Sequence, residues 1–297
     1  MLFLDGVGIG RMDGEVNPFF AAGLPELNKL FDGKVPHLSQ RTIRSKEASV
    51  VPLNATLGVA GLPQSGTGQA TLFTGVNAAK LIGKHFGPYP YSTLRPVVSE
   101  KNIFRTLSGV GRSVYYANAY PQRYFDHLSE HRNRITVMPM AWMASGFRLN
   151  DHGVLRDGKA LSADLTGEGW VNRGFGEVPV ITARKAGHRL VSILEHHDFV
   201  LYDYYFTDHA GHSQSMHRAI EILNMLDEFV GGIVEAMDQK HMLLLITSDH
   251  GNMEDLSIKT HTRNPVPLVA VGAKKDYLTP KPKSLTQVMP AILEMMS

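Results

Sequence analysis

The chain has 297 residues, of which 43% are hydrophobic and 20% are charged, a composition typical of packed globular proteins and too apolar for a disordered one. Its 30 lysines and arginines nearly balance 28 aspartates and glutamates, and no run of basic residues indicates a nucleic-acid-binding face. The absence of cysteine excludes disulfides, thiolate metal sites and a cysteine nucleophile, so a bound metal must be held by carboxylates and by histidine, of which there are 14.

Two features bear on location and domain number. The first residues leave no room for the charged and apolar regions of a signal peptide, and the densest apolar run, 242–246, is far shorter than the roughly 18 residues of a membrane span. We therefore expect a cytoplasmic protein with no membrane segment. The length suggests two domains, or one large α/β domain that carries an insertion.

Short apolar runs alternate with helical patterns, which predicts an α/β fold with a mostly parallel sheet flanked by helices. In chain order, the first part should contain a strand at 1–4, a helix at 25–31, a strand at 48–53, a helix from about 67 to 79, a helix near 102–107 and a strand at 113–118. The segment from 122 to 184 shows no clear period. After it we expect a helix at 188–195, a strand at 199–206, a helix at 216–237, strands at 242–247 and 266–271, and a helix at 286–295.

Acidic residues and histidines follow three of the predicted strands, and one further histidine precedes a fourth. These residues are Asp5, Asp208 with His212, Asp249 with His250, and His261. A single Asp or His in such a place is usually a turn or cap residue. Because ligands of open α/β sheets bind beyond the carboxyl ends of the strands, the same pattern at three strand ends predicts a metal site.

The candidates form two sites of three residues each: Asp208, His212 and His261 in one, and Asp5, Asp249 and His250 in the other. In the first site the Asp and the His at i and i+4 are one turn apart if the segment is helical. Carboxylates and imidazoles without thiolate suit Zn²⁺ or Mn²⁺. Two such ions about 3.5–4 Å apart are the usual arrangement for displacement at phosphorus.

A loop rich in Gly, Pro and Ser, residues 61–66, places Ser65 at the start of a predicted helix. Helix N-termini favour anions, so a phosphoryl group on Ser65 would lie where the unpaired N–H groups point. Thr67 is the other candidate hydroxyl, and either residue could be an ordinary helix cap. A glycine-rich segment at 6–11 comes near the dinucleotide fingerprint but fails it, because its third glycine arrives one position early.

Taken in order, Asp5, the Ser65 loop, the pairs at 208/212 and 249/250, and His261 resemble the alkaline phosphatase superfamily. The segments 4–10, 208–212 and 247–252 are most similar to the branch that contains cofactor-independent phosphoglycerate mutase and phosphopentomutase. Ten positions separate Ser65 from Gly75. This matches the superfamily's step from nucleophile to glycine and favours Ser65 over Thr67.

The resemblance implies that Ser65 attacks phosphorus in line while bridged to both metals, which gives a phosphoserine intermediate. It further implies that the ion held by Asp5, Asp249 and His250 lowers the pKa of Ser65, and that the other ion activates water or the acceptor. The order of the motifs predicts a discontinuous core, 1–121 and 185–297, interrupted by a small cap at 122–184.

The small cap favours hydrolysis over transfer. Only 143 positions separate Ser65 from Asp208, and part of that interval belongs to the core. Water should reach a phosphoserine under so thin a cap, so the leading hypothesis is a two-metal phosphoester hydrolase with a small phosphorylated substrate and neither a nucleic-acid nor a membrane partner. Candidate substrate contacts are Thr67, Gln69, Arg123, Arg132, Arg134, Arg148 and Arg156. The alternatives are a phosphomutase on the same core and a catalytically inactive metal-binding scaffold.

Overall fold

A computed structural model describes residues 1–131, 134–278 and 282–296, except for the side chain of Leu278. Within these ranges seven strands form one sheet: β1 (Leu2–Leu4), β2 (Ile43–Arg44), β3 (Ala48–Leu53), β4 (Val114–Tyr116), β5 (Phe199–Tyr204), β6 (Leu243–Thr247) and β7 (Val266–Gly272). The predicted strands are therefore present, with ends that differ from the prediction by one or two residues.

The helices that surround the sheet are shorter and more numerous than the sequence pattern predicts. They are α1 (Pro18–Ala21), α2 (Pro25–Leu30), α3 (Ser65–Thr74), α4 (Ala78–Ile82), α5 (Arg95–Lys101), α6 (Ile103–Gly109), α7 (Gln122–Glu130), α8 (Val137–Ala144), α9 (His152–Arg156), α10 (Glu168–Val171), α11 (Ala183–Leu194), α12 (Phe206–Ser213), α13 (Met216–Ala236), α14 (Lys275–Leu278) and α15 (Val288–Met296). Short 3₁₀ turns at Ser92–Leu94 and Leu285–Gln287 precede α5 and α15.

The sheet has the strand order β2-β3-β7-β6-β1-β5-β4. The neighbours β6, β1, β5 and β4 are all parallel, whereas β7, β3 and β2 join them through antiparallel pairings. The predicted α/β fold with a parallel core is confirmed, and the antiparallel strands extend the sheet on one side only.

Helices cover both faces of the sheet, because successive residues of a strand point to opposite sides. In β1, Phe3 joins the buried cluster that includes α3, α5, α6, α8 and α15, whereas Leu2 joins the cluster that includes α2, α11 and α13. A sheet buried on both faces needs nearly continuous apolar strands, which is why the strands read as apolar runs in the sequence.

The topology brings four loops to one edge of the sheet. The parallel strands β1, β5 and β6 end at this edge, and the loops that follow them carry Asp5, Asp208 and Asp249. Because β7 runs antiparallel to β6, its first residue lies at the same edge, and His261 comes just before it. The directions of these four strands therefore bring the candidate ligands to the same edge of the sheet.

The single helix predicted from about 67 to 79 is wrong, since the structure has two helices there. Gly75 adopts a left-handed conformation, with φ of 71°, and caps α3 after Thr74, and α4 begins at Ala78. Glycine meets this conformation without a side-chain penalty, so it ends the helix inside a continuous apolar pattern. Helix α3 also starts earlier than expected, with Ser65 as its first residue.

Two further helices differ from the prediction. Helix α11 begins five residues before the predicted start, because the Thr182 side chain accepts a hydrogen bond from the Lys185 N–H and caps it. Helix α5, which has Pro96 in its first turn, was not predicted. Across the described residues no helix is long and apolar enough to cross a membrane.

The segment 122–184, which has no clear period in sequence, contains the four helices α7 to α10. Trp142 and Met138 of α8 are buried in the main hydrophobic cluster, whereas Trp170 and Leu155 belong to a small separate cluster. Arg132, one of the candidate arginines, lies outside the described residues. The division into a core and a cap at 122–184 stays a prediction.

Candidate metal centre

The first cluster of candidate ligands is buried and lies at the ends of β1 and β6. His250 Nε2 is 3.2 Å from Asp5 Oδ1 and 3.6 Å from Asp249 Oδ2, and the ligand atoms of all three residues lie within 4.8 Å of one another. Asp249 and His250 are completely inaccessible to solvent. Two carboxylates and one imidazole converge on one small volume.

The second cluster lies on α12 and on the loop before β7. His212 Nε2 is 3.3 Å from Asp208 Oδ2, and His261 Nε2 is 3.1 Å from His212 Nε2 and 3.6 Å from Asp208 Oδ1. Asp208 and His212 are one helical turn apart in α12, as expected from their spacing. This cluster is more open than the first, because the His212 side chain is 41% exposed.

Backbone carbonyls hold both imidazoles of the second cluster in a ligating orientation. His261 Nδ1 donates to the Pro63 carbonyl oxygen at 2.7 Å, and His212 Nδ1 donates to the Lys259 carbonyl oxygen at 3.0 Å. A histidine whose Nδ1 proton is used in this way presents the lone pair of Nε2. Both Nε2 atoms face the Asp208 carboxylate. The bond to Pro63 also fastens this cluster to the loop that carries Ser65.

The chemistry of both clusters fits divalent cations. Asp5 Oδ1 and Asp249 Oδ2 are buried without a hydrogen-bond partner among the described residues, which is costly unless a cation neutralises them. Burial opposes a charge on His250, but the carboxylates of Asp249 and Asp5 outweigh it and raise the pKa of His250 to about 10. Burial, helped by the nearby His250, lowers the pKa of His261 to about 4 and keeps it neutral. In the absence of metal a proton on His250 partly replaces the cation.

Ser65 connects the nucleophile loop to the first cluster. Its Oγ lies 3.0 Å from His250 Nε2, and the residue is 8% exposed. As the first residue of α3 it lies at the positive end of the helix dipole. Helix α3 can approach so closely because Gly68 has no side chain: a Cβ there would lie 2.9 Å from Asp249 Cβ.

The other candidates near Ser65 have different surroundings. The Thr67 hydroxyl donates to the Gln64 carbonyl oxygen at 3.0 Å and accepts from the Phe86 N–H at 3.3 Å, so it ties the Ser65 loop to the backbone of a second loop. Gln69 Nε2 donates to Asp5 Oδ2 at 3.0 Å, and Gln69 also lines the cavity beside Ser65. The geometry favours Ser65 over Thr67 as the nucleophile.

Ser65, Asp5 and Asp208 line a cavity of about 620 Å³. Its wall is also formed by residues 118–121, 123, 124, 127, 136 and 163, and Arg123 lies exposed among them. The candidate arginines Arg134, Arg148 and Arg156 are exposed and do not line this cavity. The cavity is far larger than a phosphate group and is of the size that holds small-molecule ligands.

A buried carboxylate that the sequence pattern did not single out organises the loops of the site. Glu254 is 1% exposed, and its Oε2 accepts from the Gly8 N–H at 2.9 Å and the Asn252 N–H at 2.8 Å. Its Oε1 accepts from the Thr262 hydroxyl and from Asn264 Nδ2 at 3.1 Å. Glu254 therefore ties together the loops after β1 and β6 and the turn that contains His261.

The glycines at 6 and 8 allow the loop after β1 to lie against these groups. Gly6 has φ of 68°, and a Cβ there would lie 2.5 Å from Asp208 Oδ1. A Cβ at Gly8 would lie 2.3 Å from Glu254 Oε1. Close packing against Asp208 and Glu254 therefore explains the glycines of the segment 6–11, which comes near a dinucleotide fingerprint in sequence. Asn252 also contacts a candidate ligand, because its Nδ2 donates to Asp208 Oδ1 at 2.6 Å.

Comparison of the sequence with known proteins finds similarity in its C-terminal part. A family model described as the metalloenzyme superfamily matches residues 178–297. The 2,3-bisphosphoglycerate-independent phosphoglycerate mutase of Desulforudis audaxviator (strain MP104C) is 31% identical over 124 residues, which are 40% of this chain and 24% of the relative. The chain thus spans about a quarter of the length of this curated relative.

Comparison of the structures finds the same fold over nearly the whole chain. A protein from Pyrococcus horikoshii has a TM-score of 0.59 and 14% identity, with 99% of this chain and 96% of that chain covered. A cold-active alkaline phosphatase from Shewanella sp. has a TM-score of 0.54 and 11% identity, with 100% of this chain and 99% of that chain covered. At these identities the similarity establishes a shared fold.

Proposed function

We propose that this chain is a two-metal phosphoester hydrolase of the alkaline phosphatase superfamily, near its phosphoglycerate mutase branch, a proposal supported by the metalloenzyme family model, the mutase relative and the shared fold. The observation that carries the proposal is the position of Ser65, whose Oγ lies 3.0 Å from His250 Nε2 at the edge of two ligand clusters. The ions are Zn²⁺ or Mn²⁺, and the substrate is a small phosphorylated molecule. Asp5, Asp249 and His250 hold one ion, and Asp208, His212 and His261 hold the other.

In the proposed reaction, Ser65 Oγ forms a bond to phosphorus while the bond from phosphorus to the alcohol oxygen breaks, and the alcohol leaves with a proton. Water then breaks the phosphoserine bond, which releases phosphate and restores the Ser65 hydroxyl. Two divalent ions would favour the ionised serine and offset the charge on the transferred group. The positive end of α3 acts in the same direction, since it lies beside Ser65.

Hydrolysis is favoured over transfer to an acceptor because the cavity wall opposite Ser65 is small. It consists of short segments around Tyr120 and Tyr124, with Ala163, rather than a large domain. The family model covers 178–297 and therefore the ligands from Asp208 to His261, but it excludes most of the region opposite them. The phosphomutase remains the second candidate, favoured by the mutase relative.

The test measures phosphate release from a panel of phosphomonoesters, phosphodiesters and sulfate esters with Mn²⁺ or Zn²⁺. We expect release from at least one phosphoester, and a loss of about 1000-fold or more in Ser65→Ala. Ser108→Ala, which changes a half-buried serine of α6 that does not line the cavity, is the matched control and should keep full activity. Ser65→Ala should still bind metal.

Three results would contradict the proposal in different ways. Full activity in Ser65→Ala would exclude a phosphoserine intermediate. Isomerisation of a phosphorylated substrate without phosphate release would select the mutase. A chain that binds no divalent ion in any condition, as measured by elemental analysis, would exclude both enzymes.

A further inference from the structure

A second cavity, of about 150 Å³, adjoins the cavity beside Ser65 and has no function in the proposed reaction. The two cavities share part of their walls, including Arg123 and Tyr205. The second cavity, here called the side pocket, is lined by four aromatic rings and two guanidinium groups, from Trp170, Phe175, Tyr205, Phe206, Arg123 and Arg173. A cavity of this volume is large enough for one aromatic ring.

Tyr205 offers an aromatic ring that is both fixed and accessible. It directly follows the buried strand β5, yet it is 37% exposed. Its ring stacks on Phe206 with the centroids 4.7 Å apart, and it meets the His209 ring edge to face at 5.2 Å. These contacts hold the ring in place, and its exposed part is available to a ligand where the two cavities meet.

Two guanidinium groups reach the side pocket from different segments of the chain. Arg123 lies in α7 and Arg173 just after α10, and both are exposed. Within the described ranges neither forms an ion pair with a carboxylate. Burial, reinforced by nearby carboxylates, raises the pKa of the Tyr205 hydroxyl, and the charges of Arg173 and Arg123 act in the opposite direction. Both guanidinium groups therefore lie near the Tyr205 ring.

The carboxylate of Asp164 also lines the side pocket and disfavours an anionic ligand there. It accepts hydrogen bonds from the Gly167 N–H at 2.9 Å and the Gly169 N–H at 2.5 Å, which fix its position. A Cβ at Gly169 would lie 2.7 Å from Asp164 Oδ2 and 2.9 Å from Arg173 Nη1, so the two charged groups face the same small volume. A phosphate or carboxylate bound to Arg173 would meet this negative charge, whereas an uncharged ring would not.

We propose that Tyr205, Arg123 and Arg173 form a subsite for an uncharged aromatic ring on the alcohol part of the phosphoester. The ring enters the side pocket while the phosphate lies beside the nucleophile, so this inference rests on the proposed function for the position of the phosphate. Aromatic rings stack on aromatic side chains, and guanidinium groups are attracted to ring faces. A saturated ring of similar size fills the same space but lacks both attractions.

Binding of matched esters to the metal-loaded Ser65→Ala protein provides the test. Calorimetry in Mn²⁺ compares benzyl, 2-phenylethyl and 4-phenylbutyl phosphate with the corresponding cyclohexyl esters, so that each pair differs only in the aromaticity of its ring. We expect the aromatic ester of at least one pair to bind about 10-fold more tightly. Tyr205→Leu, added to Ser65→Ala, should reduce this preference to about 2-fold or less, whereas Tyr205→Phe keeps the ring and should keep the preference.

A second variant tests the guanidinium groups independently of the ring. Arg173→Gln, in the same background, should reduce the preference several-fold. Arg41→Gln is its matched control, because Arg41 is also exposed and likewise donates to a backbone carbonyl of its own segment. Tyr277→Leu, which changes a 46% exposed tyrosine outside both cavities, is the control for Tyr205→Leu. Thermal unfolding shows whether each variant is folded, and if Tyr205→Leu does not fold, Arg173→Gln decides.

The outcomes separate the subsite from the proposed function. Equal affinities in every pair would overturn the subsite, as would a preference that is unchanged in folded Tyr205→Leu or in Arg173→Gln. Tighter binding of 3-phosphoglycerate than of every aromatic ester would also overturn it, because the guanidinium groups would then hold an anion. If inorganic phosphate and the esters all fail to bind, both proposals are wrong. If the aromatic esters bind preferentially but the unmodified chain releases no phosphate from them, hydrolysis is wrong and the subsite stands.

Discussion

Glu254 should be more important for stability than any exposed carboxylate of this chain, because it accepts hydrogen bonds from four groups in three loops. The informative perturbation is the pair Glu254→Leu and Glu254→Gln. The leucine side chain has a similar size but accepts nothing, whereas glutamine keeps one acceptor oxygen. Comparing the two isolates the hydrogen bonds from the packing.

The expected loss of unfolding free energy in Glu254→Leu follows from two backbone donors that cannot rotate towards another acceptor. The N–H groups of Gly8 and Asn252, at 2.9 and 2.8 Å from Glu254 Oε2, belong to the backbone. Each buried donor left without a partner costs about 1–3 kcal/mol, so Glu254→Leu should destabilise the fold by about 4 kcal/mol. In Glu254→Gln the carbonyl oxygen can face these two groups. Its NH₂ then faces Thr262 and Asn264, which can accept, so the expected cost is about 1 kcal/mol.

The assay is urea unfolding of the chelator-treated protein, followed by Mn²⁺ titration of each folded variant. Because the outer groups of a metal site orient its ligands, Glu254→Leu should also weaken metal binding by about 10- to 100-fold. Glu235→Leu is the control: this carboxylate pairs with Arg184 and His188 at the surface and is 58% exposed, so its loss should leave the unfolding free energy nearly unchanged.

A substitution at Gly8, whose backbone lies against the Glu254 carboxylate, tests the importance of this contact independently. Gly8→Ala places a methyl group about where Glu254 Oε1 lies, since the Cβ would be 2.3 Å from it. Metal affinity should fall as in Glu254→Leu, whereas Gly23→Ala, where a Cβ would meet nothing within 4 Å, should have no effect. Equal unfolding free energies for Glu254→Leu, Glu254→Gln and the unmodified chain would refute this reasoning.

Other predictions concern the first metal site. Burial opposes a charge on His250, but Asp249 and Asp5 raise its pKa to about 10, well above its unfolded value near 6.5. The resulting stabilisation is complete below about pH 6.5 and is lost as the pH rises towards 10, so urea unfolding of metal-free protein should show falling stability over this range; a flat profile would contradict it. Metal-loaded protein should show a smaller slope, since ligation requires neutral His250. Gln69→Leu should weaken Mn²⁺ binding about 10-fold by releasing Asp5, whereas Gln122→Leu, which removes an exposed Gln–Asp hydrogen bond in α7, should leave it unchanged.

The positions of the ligands could be predicted because they depend on short-range signals. Asp5, Asp208 and Asp249 each follow an apolar run, and parallel strands bring such positions to one edge whatever the rest of the chain does. The spacing of four residues between Asp208 and His212 places them one turn apart if their segment is helical, and helix α12 meets that condition. The local pattern of apolar runs, combined with the rule that parallel strands end at one edge, was sufficient to predict where the candidate ligands lie.

The supporting residues could not be predicted, because their functions arise from contacts between distant segments. Glu254 reads as an ordinary acidic residue of a turn until Gly8 is placed opposite it, 246 positions away in sequence. Gln69 is a candidate for substrate contact and lines the cavity, and its sequence context gives no sign that its amide donates to Asp5, 64 positions away. The break of the predicted helix at Gly75 shows the opposite case, in which a local backbone preference outweighs an apolar pattern.

Different segments of the chain supply the candidate metal ligands and the remaining wall of the cavity. The candidate ligands and Ser65 lie on loops after β1, β5 and β6 and at the start of α3, whereas much of the remaining wall comes from residues 118–121, 123, 124, 127 and 136. Substitutions in that wall can therefore change which ester binds while Asp5, Asp208 and Asp249 keep their geometry.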